Sequence, residues 1–341
     1  MRKVLFALAV VLLAGGCSKE ALKNEVEPLQ ESLLYINLKN GGVTKATGAG
    51  HGVQADDNNM QTLEVFVFRI NEGKPDDGVL DGYRKFTAPE LAVLSNLEIR
   101  TTTGMKMIYV VANAHRENWR GVNTREIFEQ QTALLAEDNV RDFIMTGSLE
   151  TELQLASTVE IPIKRLVSRI QVGPIRTAFD GGPYEGLLLE DVKVYLTNVQ
   201  AQKFIHDGSG SNLKVLGNNG YNAEDAISCV MPGMIYEDLD TGISDVGYNS
   251  PVYFYCYENM PEKETDTEKF TRVVIEGVLD GVRYYYPIML EKVERNNCYS
   301  LEVTISRPGA LSPDSGLEKG VLVANLDVLE WNAIDGSVVE F

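Results

Sequence analysis

The stretch VEIPIKRLVSRIQV, residues 159–172, indicates the class of fold because its apolar side chains alternate with polar ones. Ile161 and Ile163 stand two residues apart, and Val167 continues the pattern further along. A period of two places successive side chains on opposite faces of a strand. The stretch therefore predicts β-structure with one buried face.

Runs of the same kind, rich in β-branched and aromatic residues, occur on both sides of this stretch. Segments rich in Gly, Asn and Asp separate them, and short strands divided by such turns predict β-sandwiches instead of a parallel α/β sheet. No repeat of fixed period is visible, which argues against a propeller or a solenoid. The predicted strands are residues 63–70, 105–114, 189–200, 252–259, 271–279, 282–290, 298–305 and 321–331.

One or two short helices are expected among the strands. The longer one is predicted over residues 124–137, with Asn123 as its cap, and a shorter one follows Thr87, where Pro89 fits the first turn. The residues that share one face of the longer helix at helical spacing are Ile127, Gln131, Leu134 and Leu135.

Gly and Pro concentrate near residues 173–184, where a domain boundary is expected. This places an N-terminal β-sandwich domain over residues 46–173 and a C-terminal one over residues 174–341. The predicted fold class is all-β, with two sandwich domains in tandem.

The N-terminus has the features of a bacterial lipoprotein signal. Arg2 and Lys3 precede an apolar run over residues 4–13, about half the length that crosses a membrane. Small residues then lead directly to Cys17. We expect residues 1–16 to be removed and Cys17 to be acylated, for example with palmitate. The expected location is the outer membrane, facing the cell surface.

The formal net charge of −18 becomes −20 once Arg2 and Lys3 are removed with the signal. Such an acidic chain does not bind nucleic acid by neutralising phosphates. Three cysteines remain after Cys17, namely Cys229, Cys256 and Cys298, and the sequence leaves open whether two of them form a disulfide.

No catalytic, cofactor or metal site is predicted. His51, His115 and His206 are isolated, and no nucleophile elbow or phosphate loop is present. The aromatic run at residues 284–286 fits core packing better than a sugar platform. We therefore expect no enzyme activity.

A set of motifs, taken in order, resembles the FimA/Mfa-like fimbrillin family of Bacteroidales. The resemblance covers nearly the whole chain, and its most specific part is the long motif that begins at Glu294. The motifs are Cys17, LEVFVF (63–68), MIYVVANAH (107–115), FIMTG (143–147), RLVSRI (165–170), YFYCYEN (253–259), TRVVIEG (271–277), YYYPIML (284–290), ERNNCYSLEVTISRPG (294–309) and LEW (329–331).

This resemblance implies two transthyretin-like β-sandwich domains and export as a lipoprotein. It further implies that a trypsin-like surface protease removes the first strand together with its lipid. The groove left behind would accept a strand from the C-terminus of the next subunit, and repetition would build a pilus. Such head-to-tail contacts propagate as a filament.

Residues 32–39 alternate well enough to be that first strand, with Leu34, Ile36 and Leu38 on one face. The family's cleavage arginine is absent, because no Arg lies between Cys17 and Arg69. Lys45 is the first candidate for cleavage and Lys39 the second. Residues 17–45 would then form a propeptide that carries the strand and the cleavage loop.

The donor strand is expected near residues 321–341, where the chain ends on apolar residues instead of polar ones. The first part of this segment could pair within its own subunit while the end reaches out. The candidate donor side chains are Trp331, Ile334, Val338, Val339 and Phe341.

The sequence thus predicts a structural subunit of a surface fimbria that supports adhesion. Its expected partners are other fimbrial subunits, the protease and a surface receptor on a host or a bacterium. Two alternatives stay open: a tip or anchor subunit of the same system, and a lipid-anchored surface protein that binds glycans.

Overall fold

The computed structural model describes residues 29–40, 59–91, 97–138, 140, 142–206, 216–217, 234–265, 268–317 and 320–331. In these ranges the chain is almost entirely β-structure with two short helices, which confirms the all-β sandwich fold. None of the helices in this part is both long and apolar enough to span a bilayer.

The strands of the first half belong to one twisted sheet that folds over on itself. Their order is β3-β2-β5-β7-β8-β1-β4, apart from the short β6. The bounds are β1 Glu31–Asn40, β2 Thr62–Arg69, β3 Leu80–Thr87, α1 Ala88–Leu91, β4 Leu97–Thr102, β5 Gly104–Ala112, α2 Arg125–Glu129, β6 Thr132–Leu134, β7 Met145–Leu153 and β8 Ala156–Arg165.

This sheet forms the two layers of a sandwich because β7 and β8 pair only briefly. Met145 and Thr146 pair with Arg165 and Lys164, and the sheet turns there from one layer into the other. Strands β3-β2-β5-β7 make the first layer and β8-β1-β4 the second. Apolar side chains of both layers meet in one core, including Leu34 and Ile36 of the first strand.

Alternation along β2 explains how the first layer serves two cores. Leu63, Val65 and Val67 face the sandwich interior. Phe66 and Phe68 point to the opposite side, where the ring of Phe128 in α2 packs at a tilt against both, with centroids 4.7 and 5.7 Å apart. This second cluster continues into the core of the C-terminal half.

The second half forms a separate sandwich. A four-stranded sheet of order β14-β10-β16-β17 packs on a six-stranded sheet of order β13-β11-β15-β9-β18-β19. The bounds are β9 Val167–Thr177, β10 Glu190–Thr197, β11 Val199–Gln200, β12 Gln202–Phe204, β13 Leu216–Gly217, β14 Tyr236–Asp238, β15 Val252–Tyr257, β16 Thr271–Leu279, β17 Val282–Leu290, β18 Asn297–Ile305 and β19 Leu322–Glu330.

The change from one sandwich to the other falls at Leu166, between β8 and β9. Gly173 and Pro174, where the sequence placed the boundary, lie inside β9. Arg295 joins the halves, because its guanidinium donates to the carbonyl oxygens of Lys164 and Arg165 at 2.7 and 3.1 Å. The halves also share the small sheet of β6 and β12.

The helix predicted over residues 124–137 is wrong beyond its first turns. Helix α2 ends at Glu129, and its cap is Thr124 instead of Asn123, with the Thr124 hydroxyl accepting from the Ile127 amide at 3.3 Å. Residues of β6 pair with β12 instead of continuing the helix. Long-range pairing therefore overrides the helical spacing of Leu134 and Leu135. The shorter helix after Thr87 is confirmed as α1.

Replacement of Leu34 by Ala tests whether β1 is part of the core in the unprocessed chain. Leu34 is completely buried, so we expect a loss of about 2–5 kcal/mol in the free energy of unfolding. The matched control is Leu326→Ala on β19, where the side chain is 44% exposed and the expected loss is below about 0.5 kcal/mol. Equal losses in urea titrations would contradict this placement.

Candidate functional site

Strand β1 is the central strand of its layer, with a neighbour on each side. Residues Glu31 to Ile36 pair antiparallel with β4, and residues Leu33 to Asn40 pair in parallel with β8. Neighbouring strands lie about 4.8 Å apart, so without β1 the strands β8 and β4 would stand about 9.6 Å apart. That gap is one strand wide.

The inner face of β1 is apolar and belongs to the core. Leu34 and Ile36 are completely buried, and Ser32 is nearly so. Leu33 and Tyr35 point the other way and are partly exposed. Each buried Leu or Ile side chain contributes about 1.5–3 kcal/mol. A vacated site would therefore combine unpaired backbone groups on both walls with an apolar floor.

The two candidate cleavage lysines stand in different positions relative to β1. Lys39 lies inside the strand, where its backbone pairs with Pro162 of β8. Cleavage there would cut a paired segment. Lys45, like Cys17, lies outside the described residues, and it follows the end of β1 at Asn40. Cleavage after Lys45 would separate the whole of β1 from the rest of the chain.

The candidate donor residue Trp331 is packed inside its own subunit. Its side chain is 3% exposed, and its ring lies 5.4 Å from Phe143 and 5.8 Å from Tyr255. The guanidinium groups of Arg165 and Arg169 stack on it at 4.5 and 5.0 Å. Trp331 thus fixes the end of β19 at the junction of the two sandwiches.

Two main-chain hydrogen bonds fix Trp331 as well. Its amide donates to the Asn296 carbonyl at 2.8 Å, and its carbonyl accepts from the Asn296 side chain at 3.3 Å. The other donor candidates, Ile334, Val338, Val339 and Phe341, lie outside the described residues. Among the expected donor residues, Trp331 is therefore the one whose side chain the structure places inside its own subunit.

Strand β19 itself pairs with β18 along its whole length and is an outer strand of its sheet. Val323, Leu326 and Val328 are between 44% and 56% exposed. An outer strand with exposed apolar side chains is a template for further strand pairing.

A buried carboxylate connects the two layers of the N-terminal sandwich beside β1. Asp81 of β3 accepts hydrogen bonds from the hydroxyls of Thr101 and Thr102 on β4 at 2.6 and 2.7 Å, and from the Thr102 amide at 2.9 Å. Arg69 donates to its other oxygen at 2.7 Å, and the ammonium of Lys106 lies 3.4 Å away. The side chains of Asp81 and Lys106 are each 1% exposed.

The electrostatics of this cluster favour the ionised carboxylate. Burial by itself raises the pKa of Asp81, but the hydrogen bonds from Thr101, Thr102 and Arg69 outweigh burial and hold the pKa well below its usual range. Burial also lowers the pKa of Lys106, and the charge of Asp81 opposes that shift. Side chains from three strands, β2, β4 and β5, therefore contact the ionised Asp81 carboxylate.

Within the described residues, no group of three His, Cys, Asp or Glu side chains is arranged to hold a metal ion. His115 contacts the Asp142 carbonyl at 2.9 Å, and the ring of His206 lies 5.7 Å from that of Phe204. His51 lies outside the described residues. Cys256 and Cys298 are buried in strands, and burial raises the pKa of the Cys256 thiol to about 12. Cys229 lies outside the described residues.

The aromatic run of β17 does not form a row on one surface. Tyr286 is completely buried in the core, and Tyr284 packs against that core from its edge. Tyr285 lies on the opposite face of the strand, in register with Glu276. This arrangement favours the packing role over a sugar platform.

Asp81 was not predicted from the sequence, because it belongs to no catalytic or metal-binding pattern. Its carboxylate has a structural role. The available indication was Gly82 next to it, since a glycine inside a strand pattern often marks a bulge or a close approach of two backbones. Here it marks both: the register of β2 and β3 shifts at Asp81, and a Cβ added to Gly82 would stand 2.7 Å from the Arg100 carbonyl oxygen.

Acid titration of the folded chain should reveal the Asp81 carboxylate. Its pKa is lower in the folded chain than in the unfolded one, where it is about 3.9. The stabilisation is therefore complete above about pH 5 and is lost as the pH falls towards the folded-state pKa. Asp81→Asn should lower the free energy of unfolding at pH 7 by about 3 kcal/mol and flatten its decline between about pH 4 and pH 2.

The matched control is Asp280→Asn, which changes an exposed turn carboxylate at a positive φ that Asn tolerates. Urea titrations at several pH values measure both variants. A decline in acid that is as steep in Asp81→Asn as in the unchanged chain would contradict the assignment.

Comparison with known proteins finds a family whose members resemble the first sandwich. Residues 34–165, from β1 to the end of β8, match the family described as major fimbrial subunit protein (FimA). The major fimbrium subunit FimC of Porphyromonas gingivalis is 23% identical over 345 residues, which covers 96% of this chain and 69% of FimC. The subunit FimA type-5 from that organism is 29% identical over 100 residues, 23% of this chain and 25% of that protein.

Solved structures share the fold. A fimbrilin (FimA) from Porphyromonas gingivalis W83 matches with a TM-score of 0.64 at 16% identity, covering 89% of this chain and 98% of that one. The tip fimbrial protein Mfa3 of Porphyromonas gingivalis, with a C-terminal truncation, gives a TM-score of 0.52 at 12% identity, covering 89% of this chain and 100% of that one. The chain is thus similar to FimA-type fimbrillins over its first sandwich, and it shares the fold of solved fimbrilins.

Proposed function

We propose that this chain is a structural subunit of a surface fimbria, polymerised by exchange of its first strand. The observation that carries the proposal is the position of β1 between β8 and β4, with Leu34 and Ile36 in the core. A central strand is an unusual place for a removable segment, because its loss unpairs two neighbours at once. For the same reason, a new strand in the vacated site could form backbone hydrogen bonds to both neighbours.

The maturation pathway that we propose begins with export as a lipoprotein acylated on Cys17 and held at the outer membrane. A trypsin-like surface protease then cuts after Lys45. This position is preferred over Lys39 because it lies beyond the paired part of β1. The connection between β1 and β2 runs from residue 41 to residue 61, so a cut there leaves both strands complete.

The donor in this proposal is the segment 332–341 of a neighbouring subunit. Trp331 is packed in its own subunit and fixes where the tail leaves it. The segment 332–341 has ten residues, as many as β1, and fully extended it spans about 33 Å. Ile334, Val338, Val339 and Phe341 supply the apolar side chains that a groove vacated by Leu34 and Ile36 requires.

Each subunit would donate at one site and accept at another. Such an interface is heterologous and continues into a filament instead of closing. The fimbria would present adhesive surfaces to a receptor on a host or on another bacterium. Its partners are therefore copies of itself or related fimbrial subunits, and no enzyme activity is assigned to it.

A second candidate function is that of an anchor subunit or a lipid-tethered surface protein that keeps β1. The observation in its favour is the absence of arginine between Cys17 and Arg69, which removes the site for an arginine-specific protease. The buried position of β1 fits this alternative too, since the strand completes the sandwich. The two candidates differ in the N-terminus of the working protein.

Recovery of the protein from the cell surface separates the two candidates. Intact mass and N-terminal sequencing should give a chain that begins after Lys45 and carries no lipid. Lys45→Ala should leave the chain uncut and reduce the amount of polymer. The matched control Lys74→Ala changes an exposed lysine on a turn and should have no effect. A protein on the cell surface that still begins at acylated Cys17 would contradict the polymerising role. It would support an anchor subunit or a lipid-tethered surface protein.

Removal of the tail tests the donor. A chain that ends at Trp331 keeps every described residue, so its thermal midpoint should stay within about 2 °C of the full chain. We expect it to be cut normally and still to form no polymer on denaturant-free gels. Polymer of normal length from the truncated chain would exclude residues 332–341 as the donor.

A further inference from the structure

We infer that Asp81 and Gly82 of β3 form a clamp that holds β4 in place independently of β1, so that the acceptor groove keeps both walls after β1 leaves. The inference rests on the strand exchange proposed above. It concerns the sandwich with an empty groove, which is difficult to keep folded because the missing strand is a central one.

Strand β4 needs such support because of its position. Within the described residues, β4 pairs with β1 alone and stands at the end of the sheet. Strand β8, the other wall, continues through Arg165 into the junction and pairs briefly with β7. Loss of β1 therefore removes the backbone pairing of β4, while β8 keeps its pairing with β7 and its connection to the junction.

The support comes from the opposite layer at three points along β4. At one end, Asp81 accepts from Thr101 and Thr102. In the middle, Gly82 lies so close to β4 that an added Cβ would stand 2.7 Å from the Arg100 carbonyl oxygen. At the other end, the guanidinium of Arg84 donates to the Glu98 carbonyl at 2.7 Å. None of these contacts involves a residue of β1.

A bulge in β3 directs the Asp81 side chain towards β4. Val67 pairs with Gly82, and the next residue, Phe68, pairs with Leu80, so Asp81 is the extra residue. A bulge of this kind turns a side chain out of the regular alternation of its strand. Here it aims a carboxylate into the space between the two layers, where Arg69 and Lys106 neutralise it.

The test uses the full chain with a recognition sequence for a site-specific protease placed at residues 43–49, beyond the end of β1. After cutting, β1 is held by non-covalent contacts only and can be exchanged. The probe is a fluorescently labelled synthetic peptide of residues 29–40. Its uptake by the cut protein is followed by fluorescence anisotropy, and hydrogen exchange of the β4 amides is measured in the cut protein while β1 can dissociate.

The cut protein should take up the peptide, and its β4 amides should stay protected. Asp81→Asn should weaken uptake by about tenfold or more, as expected for the loss of hydrogen bonds to a charged group. Thr101→Val removes one hydroxyl at constant shape and should weaken uptake by about threefold. Gly82→Val should push β4 away and abolish uptake.

The control variant is Glu276→Gln in the C-terminal sandwich, where the carboxylate accepts from Tyr195 at 3.0 Å and from Arg283. It should not change uptake. If Asp81→Asn does not fold when uncut, Thr101→Val carries the test. Two results overturn the inference: the cut but otherwise unchanged protein fails to take up the peptide, or Asp81→Asn and Thr101→Val take it up as well as Glu276→Gln does.

These outcomes are independent of the proposed function. A surface protein that retains Cys17 and β1 would exclude strand exchange in the cell and would leave peptide uptake by the cut protein unchanged. Failure of the cut protein to take up the peptide would overturn the inferred clamp. It would say nothing about whether the protein on the cell surface begins at Cys17 or after Lys45.

Discussion

The structure depends on the hydrogen bonds that β1 makes to two neighbours at once. Strand β8 pairs with it in parallel and β4 in antiparallel orientation. Backbone groups that lose such partners are costly when buried, and unpaired strand edges attract other chains. The first sandwich is therefore complete only while some strand occupies this position. Any strand of suitable length and side chains could occupy the position between β8 and β4, and exchange between subunits is physically reasonable for that reason.

In our proposal the rest of the molecule keeps its fold when this position is emptied. The junction at Leu166 joins the first sandwich to the second, and Arg295 bonds to the carbonyls at the end of β8. Trp331 anchors the start of the tail in the same region through Arg165. Of the two walls, β8 is thus tied to the junction, and β4 is tied to β3 through Asp81. The proposed acceptor site and Trp331, which precedes the proposed donor segment, are thus both bonded to other parts of the same subunit.

The sequence predicts much of the fold, since local alternation carries it. Leu34, Ile36 and Leu38 indicated a first strand, and β1 is that strand. The same alternation cannot show that β1 lies between β8 and β4, because its partners lie more than sixty residues away in β4 and more than a hundred away in β8, and such pairing leaves no local pattern. The helix expected over residues 124–137 failed for the same reason. Its later residues pair with β12, about seventy positions away in the chain.

The candidate site was predicted in outline only. Its strand followed from alternation, and the donor and acceptor roles came from resemblance to the fimbrillin family. Asp81 could not be singled out, because its importance depends on a bulge and on β4 lying opposite. Trp331 was expected to donate, and its ring packs against Tyr255 of its own subunit.

The most direct test of the central claim is electron cryo-microscopy of the filament recovered from the cell surface. The strand between β4 and β8 can be identified there from its side-chain density and its connections. The account predicts a strand with the sequence of residues 332–341 or of a related subunit's C-terminus, continuous with a neighbouring subunit. Residues 31–40 in that position, joined through residues 41–61 to β2 of the same subunit, would contradict it.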